Sequence, residues 1–338
     1  MTILYLDCYA GISGDMSVGA LLDLGVPLEY LKMELLKLAL PSGAYELSAS
    51  RTERHHLPAL KFDVVVHDHH THRHYATIDC MIAASGLSDF VKERARRIFR
   101  RLAEAEAKVH GVDVAKVHFH EVGAIDSIVD IVATAICLEY LNVEKVYAAA
   151  LPMGSGLVST AHGCLPVPAP ATAELMQGLT VHGQCGPGER VTPTGVAIVA
   201  ALATESGPRP DMTLTRIGSG AGGKDFEDCP NILRAFLGKT PENSETADEI
   251  IVAETNIDDS TAEVLGYVME RLLEEGALDV FFTPIQMKKN RPATKLSFLC
   301  RPSQLDTLAR LVLVETSAIG LRHYKVAQLK PSKIHERE

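Results

Sequence analysis

Tryptophan is missing from this 338-residue chain, and aromatic residues together make up only 5% of it. That scarcity leaves little on which exposed bases can stack, so a platform for single-stranded nucleic acid is excluded. Positive charge is also short: 33 Lys and Arg stand against 43 Asp and Glu, a formal net charge of −10. A phosphate backbone is held by clustered cations, so no nucleic-acid partner is expected, although a local phosphate site needs only a few basic residues. The seven cysteines are scattered and form no CxxC pair, which argues against a disulfide framework or zinc ribbon and for reduced thiols. No apolar run reaches the ~20 residues that span a bilayer. Met1–Leu6 carries no basic n-region, so neither a signal peptide nor a membrane partner is expected, and the location read from this is cytoplasmic. The turn after the first strand, 7–15, carries neither a Walker A nor a GxGxxG pattern, so no standard phosphate loop announces itself there.

The length is sufficient for two domains and a sizeable buried core. Ile3–Leu6 reads as a short buried strand, followed by a glycine-containing turn and a helix from Asp15. Phe62–Val66 is a second strand. Ser88–His110 is a long amphipathic helix closed by Gly111, as a C-terminal glycine should close it. Val122–Leu141 is an apolar helix interrupted by Asp126 and Asp130, and Gly and Pro crowd the stretch 152–193. Strands alternating with helices predict an α+β protein, built of α/β layers. We expect a mixed α/β domain over 1–238 for metal or cofactor handling, a polar linker over 239–249, and a second domain over 250–338. The second domain shows a β-α-β-β-α order, most of a ferredoxin-like unit that needs one more strand. The polar tail from Gln328 offers none, so this domain is expected to be incomplete, truncated, or completed by another chain.

Four groups of residues carry chemistry. His67, His69, His70, His72 and His74 fall within eight residues. Imidazoles on one loop suit capture of nickel, zinc or copper, and the alternative is a solvated loop. His118-Phe119-His120-Glu121 is followed by Asp126 and Asp130. An extended segment would aim His118 and His120 to one face, and two aspartates on so apolar a helix are costly without partners. His118, His120 and Asp130 are therefore candidate metal ligands, and Glu121 and Asp126 candidate catalytic groups. The turn Asp7-Cys8-Tyr9-Ala10-Gly11-Ile12-Ser13-Gly14-Asp15 lets backbone N–H groups approach an anion, and Asp7, Gly11, Ser13, Gly14 and Asp15 are its candidate cofactor contacts. Finally, Glu254-Thr255-Asn256-Ile257-Asp258-Asp259 and the basic Gln286-Met287-Lys288-Lys289-Asn290-Arg291-Pro292 pair metal-holding carboxylates with phosphate-holding cations. Thr192-Pro193-Thr194-Gly195 and a glycine-rich stretch over 218–225 are read as turns or pocket walls.

These motifs together resemble the LarC family, the nickel insertion proteins for the nickel-pincer nucleotide cofactor of lactate racemase. The resemblance spans nearly the whole chain. It implies a nickel chelatase, of the lyase class, that inserts Ni²⁺ into pyridinium-3,5-bisthiocarboxylic acid mononucleotide, coupled to hydrolysis of CTP with Mn²⁺ or Mg²⁺. It further implies a ferredoxin-like CTP-binding domain with Asp258, Asp259, Lys288, Lys289 and Arg291 as nucleotide contacts, and assembly into a homo-oligomer. The implied partners are the pincer precursor, CTP, the sulfur-transfer enzyme of the pathway and the lactate racemase apoenzyme. Two other readings stay open: a nickel store or metallochaperone working through the histidine loop, and a hydrolytic metalloenzyme using His118, His120 and Asp126 with a bound water.

Overall fold

The computed structural model describes residues 1–41, 43–67, 73–119, 122–160, 163–183, 186–240 and 248–328. The protein is α+β, and its chain divides into two compact units, 1–241 and 242–338.

The first unit is built on a mixed seven-stranded sheet. Its spatial order is 203–206, 145–148, 2–7, 232–239, 213–221, 57–66 and 45–54. Thr2–Asp7 is central because its residues are apolar on both faces: Ile3, Leu4, Tyr5 and Leu6 are all buried. It runs parallel to Lys145–Ala148 and antiparallel to Ile232–Lys239. Tyr45–Arg54 and Leu57–Val66 form an antiparallel hairpin in full register, its turn made by His55 and His56 at positive φ.

Helix Gly14–Asp23 lies on this sheet, and small residues set how closely. Gly220 faces Met16 and Ala20, Gly218 faces Ala20 and Leu24, and Gly19 faces Leu60 and Gly220. Two of the four glycines in the stretch 218–225, Gly218 and Gly220, are thus residues of strand Thr213–Ala221, whose missing side chains admit the helix backbone. Asp89–His110, Ile125–Tyr140 and Pro193–Leu202 pack together behind it. Ser88 caps the first of these by accepting from Val91 N, and Gly111 ends it in the left-handed conformation, a position where a side chain is strained. Phe62, Phe99, Phe119, Ile128 and Ile198 are among the buried members of the common core.

The second unit corrects one expectation. Its order is strand Asp248–Ile257, helix Ala262–Glu274, strand Asp279–Met287, strand Arg291–Cys300, helix Leu305–Glu315 and strand Arg322–Gln328. All neighbours are antiparallel, with the last strand beside the first at an edge. That is a whole β-α-β-β-α-β unit of ferredoxin-like topology, and the strand read as missing is present. Its sequence hid it, because Arg322, His323, Tyr324 and Lys325 are exposed and an edge strand needs no apolar stripe. Ladder bonds to Ile250–Glu254 hold it instead.

Among the described residues Cys8, Cys80, Cys137, Cys164, Cys229 and Cys300 form no disulfide. No helix there is long and apolar enough to cross a membrane.

Candidate functional site

The first strand ends at Asp7, and the chain must then turn into helix Gly14–Asp23. Segment 190–192 shapes that turn: Ile12 N donates to Arg190 O at 3.1 Å, and Thr192 N donates to Ile12 O at 3.1 Å. Gly11 sits at φ +122 directly on the Arg190 carbonyl, and Gly195 sits on Ile12. Any Cβ at Gly11 would collide with backbone, so this glycine is fixed by close approach.

Ser13 caps the helix, and its hydroxyl also donates to Asp15. Lys61 Nζ, reaching across from the hairpin, donates to Asp15 Oδ2 at 2.7 Å and lies 2.9 Å from Asp63 Oδ1. Burial alone would push the Lys61 ammonium down, but Asp15 and Asp63 outweigh it and hold the group above its ordinary range. On the other side of the turn stands Asp130. A Cβ on Gly14 would lie 2.7 Å from Asp130 Cβ, so the glycine makes room for that aspartate. Asp130 Oδ1 is buried with no hydrogen-bond partner, and only part of the residue reaches solvent. Burial, then Asp15, then Asp126 raise its carboxyl well above the usual range, with Lys61 opposing. Two carboxylates from distant parts of the chain therefore lie about a glycine, electrostatically coupled to each other and to one ammonium. The space beside Gly14 is filled by Asp130 and is not an open cradle for a phosphate.

Asp126, one helical turn earlier, is exposed and accepts from Ser127 N at 2.7 Å. Asp7 does not join this centre; its carboxylate pairs across the sheet with Arg234. Burial pushes the Cys8 thiol up, and it donates weakly to Leu6 O at 3.5 Å, so it is no thiolate ligand.

The structure brings the two histidine motifs together. Arg73–His74, at the end of the histidine tract, pairs antiparallel with His118–Phe119. The rings of His74 and His118 are 4.6 Å apart, centroid to centroid, at 75°. Arg73 Nη1 donates to Gly123 O at 3.0 Å, which ties the strand of His74 to the residues just before helix Ile125–Tyr140. His67 Nε2 lies 3.6 Å from Glu46 Oε1, at the far end of the tract. His69, His70, His72, His120 and Glu121 lie outside the described residues. No group of three or more His, Cys, Asp and Glu able to hold a metal occurs among the described residues. The arrangement is a pair of nitrogen donors plus a separate carboxylate pair.

In the second unit Arg291 Nη1 pairs with Asp258 Oδ2 at 3.2 Å, and Asp259 accepts from Ser317. Lys288 and Lys289 form the tip of the hairpin beside them, with Lys289 and Asn290 at positive φ. Beneath, Glu254 is buried and takes Lys295 Nζ at 2.7 Å and Arg322 Nε at 3.1 Å. Hydrogen bonds from Lys295 and Arg322 hold the Glu254 carboxyl below its usual range against the cost of burial.

Sequence reasoning missed Lys61 and Lys295 as site residues, whereas Glu254 was part of the carboxylate motif it singled out. A lysine two residues ahead of an aspartate in an apolar strand was the available signal for Lys61. Nothing local pointed to Asp15, which is 46 positions away.

Comparison with known proteins gives these features a common setting. The model of the family described as "Nickel insertion protein" matches residues 4–336. A protein of Pelobacter propionicus named for nickel insertion is 70% identical over 96% of this chain and 83% of its own length. One of Geobacter metallireducens, named likewise, is 59% identical over 99% of this chain and 86% of its own. Among solved structures, "LarC2, the C-terminal domain of a cyclometallase involved in the synthesis of the NPN cofactor of lactate racemase" is 52% identical. That match covers 24% of this chain and 57% of the other, with a TM-score of 0.24. With one family model running through both units, and with it the glycine turn, the paired histidines and the separate carboxylate pair, the chain belongs to the nickel insertion protein family.

Proposed function

We propose that this protein is an enzyme that passes Ni²⁺ to an organic acceptor, the nickel-pincer precursor pyridinium-3,5-bisthiocarboxylic acid mononucleotide, with consumption of CTP. The observation that carries the reading is the contact between His74 and His118, because it joins the histidine tract to the second motif at one place. Two imidazoles bind nickel well enough to take it up. They also leave most of its coordination positions open for the sulfur and carbon of an acceptor. A closed four-ligand cage would keep the ion, as structural metal sites do. The nickel here is substrate, and a two-donor seat suits a cargo.

Asp130 supplies the second half of the chemistry. An unpartnered buried oxygen is costly, and an arriving cation or proton relieves that cost. Placed one turn inside the helix that follows the histidine motif, Asp130 and Asp15 are suited to accept the proton that must leave an acceptor carbon when a metal–carbon bond forms. Lys61 holds Asp15 in place meanwhile.

For the nucleotide, the donor set of the second unit fits a metal–triphosphate. Asp258 and Asp259 would hold Mg²⁺ or Mn²⁺, which neutralises phosphate charge when bound, and Lys288, Lys289 and Arg291 would take the phosphate oxygens. We further assign this enzyme to the cytoplasm and to a homo-oligomer, as the LarC resemblance implies, with the pathway's sulfur-transfer enzyme and the racemase apoenzyme as its neighbours in the reaction sequence.

The test is nickel transfer to the purified precursor with and without CTP. Wild type should form the cofactor only with CTP, and His74→Ala/His118→Ala should lose at least tenfold in rate while keeping its circular dichroism. Cofactor formation that survives in the double variant would refute the histidine assignment. A protein that binds nickel but transfers none under any condition would favour the store.

A further inference from the structure

A cavity of about 270 Å³ is walled among the described residues by Val109, Val122, Leu165, Ala171 and Pro193. Two of these residues follow the motifs of the candidate site along the chain. Val122 directly follows the His118–Glu121 motif. Pro193 begins the helix capped by Thr192, whose backbone N–H is bonded to Ile12 of the glycine turn. Polar groups enter the wall through Glu106 and His110, whose Oε2 and Nε2 lie 3.3 Å apart. Val109 is 41% exposed although apolar, so part of the wall is hydrophobic surface left facing solvent.

Apolar walls with a few polar groups are the usual composition of a small-molecule site. Size narrows the occupant. An apolar cavity of about 150 Å³ in another protein takes benzene, so this one takes a single ring with small substituents and excludes a whole nucleotide. Rigidity narrows it further: a metal is handed over fastest to donors already fixed in geometry, and a flat ring fixes them.

We infer that this cavity seats the aromatic ring of the metal acceptor, with the ring's polar substituent against Glu106 and His110 and the rest of the molecule directed outward. The inference rests on the transfer function proposed above and adds to it a binding site and a ligand class.

The probe is pyridine-3-carboxamide, titrated into the full chain by ligand-observed saturation-transfer NMR, with cyclohexanecarboxamide as the non-aromatic control. The pyridine should bind saturably and at least fivefold more tightly than the control. Ala171→Phe, which fills the cavity, should weaken it at least tenfold. Val109→Gln alters an exposed helix position that tolerates polarity, so it keeps the test valid if Ala171→Phe fails to fold, and it should weaken the probe at least threefold. His118→Ala should leave probe affinity within twofold. Equal binding of the two probes, or unchanged affinity in both wall variants, overturns the inference. Nickel transfer is then measured in the same variants. Normal transfer alongside impaired probe binding overturns this inference alone, whereas a wild type that transfers no nickel overturns the function, and with it the acceptor assignment.

Discussion

Replacing Asp130 by asparagine should stabilise the protein while abolishing its metal chemistry. The carboxylate lies against Gly14, with Oδ1 enclosed and unbonded, and burial together with Asp15 and Asp126 raises its carboxyl well above the usual range. The sign follows from linkage. A carboxyl whose folded-state affinity for protons exceeds its unfolded one binds more protons when folded, so stability falls as pH rises. The loss begins near the ordinary aspartate value of about 3.9 and continues until the folded-state group has itself ionised. Asparagine keeps the shape and removes that loss. An unsatisfied buried polar group costs about 1–3 kcal/mol, and for a unit of this size each kcal/mol moves the midpoint by about 2–4 °C.

Asp130→Asn should therefore melt about 2–12 °C above wild type at pH 8, with the gain shrinking toward pH 4. Calorimetry of both proteins across that range is the assay, with nickel-transfer rate measured in parallel. A midpoint at pH 8 equal to or below that of wild type would refute the electrostatic reasoning. A gain of the same size at both pH extremes would show that packing, and not charge, is responsible. A stabilised variant with full transfer activity would leave the buried charge without a functional explanation.

Three further outcomes follow from contacts already described. Gly14→Ala should cost about 2–3 kcal/mol through overpacking, and Asp130→Ala added to it should recover at least half, since the two residues are in contact and their effects are not additive; urea denaturation measures both. Glu254→Gln should lower the stability of the second unit by about 1–2 kcal/mol at pH 7. Because the Glu254 carboxyl is held low, the loss should vanish as pH falls through its folded-state range, seen as faster hydrogen exchange over 250–257 at neutral pH only. Deleting 68–72 should reduce the nickel bound per chain at low metal concentration yet leave the transfer rate within twofold in excess nickel, which a quantitative nickel assay and the transfer assay separate.

What was legible in the sequence was what adjacent residues decide. Ser88 and Gly111 bracket a helix because a hydroxyl cap and a left-handed glycine act within one turn. The apolar run 3–6 is a strand because it is buried on both faces. Strand order is another matter: Ile232–Lys239 comes to lie directly beside Thr2–Asp7, and nothing within either segment names the other. The same limit explains the site. Asp126 and Asp130 were recognisable as misplaced charges on an apolar helix, but structure divides them, with Asp126 exposed and Asp130 half-enclosed. Glycines 11 and 14 looked like phosphate contacts, and three-dimensional packing gives them a different reason, the Arg190 carbonyl and the Asp130 side chain.

That last substitution of reasons bears on how the metal is handled. A helix N-terminus attracts anions through its free N–H groups and its dipole. Here the protein supplies the anions itself, Asp15 and Asp130, and leaves one oxygen without a partner. A phosphate arriving at this turn would meet two carboxylates, whereas a cation or a proton would meet an unmet bonding requirement. The electrostatics of the first unit thus favour the positively charged partner of the reaction. The cationic hairpin tip of the second unit, with Lys288, Lys289 and Arg291, favours the negatively charged one. On the function proposed above, a chain with a net charge of −10 draws the metal ion and the triphosphate through different side chains, carboxylates and imidazoles of the first folding unit and a cationic hairpin tip of the second.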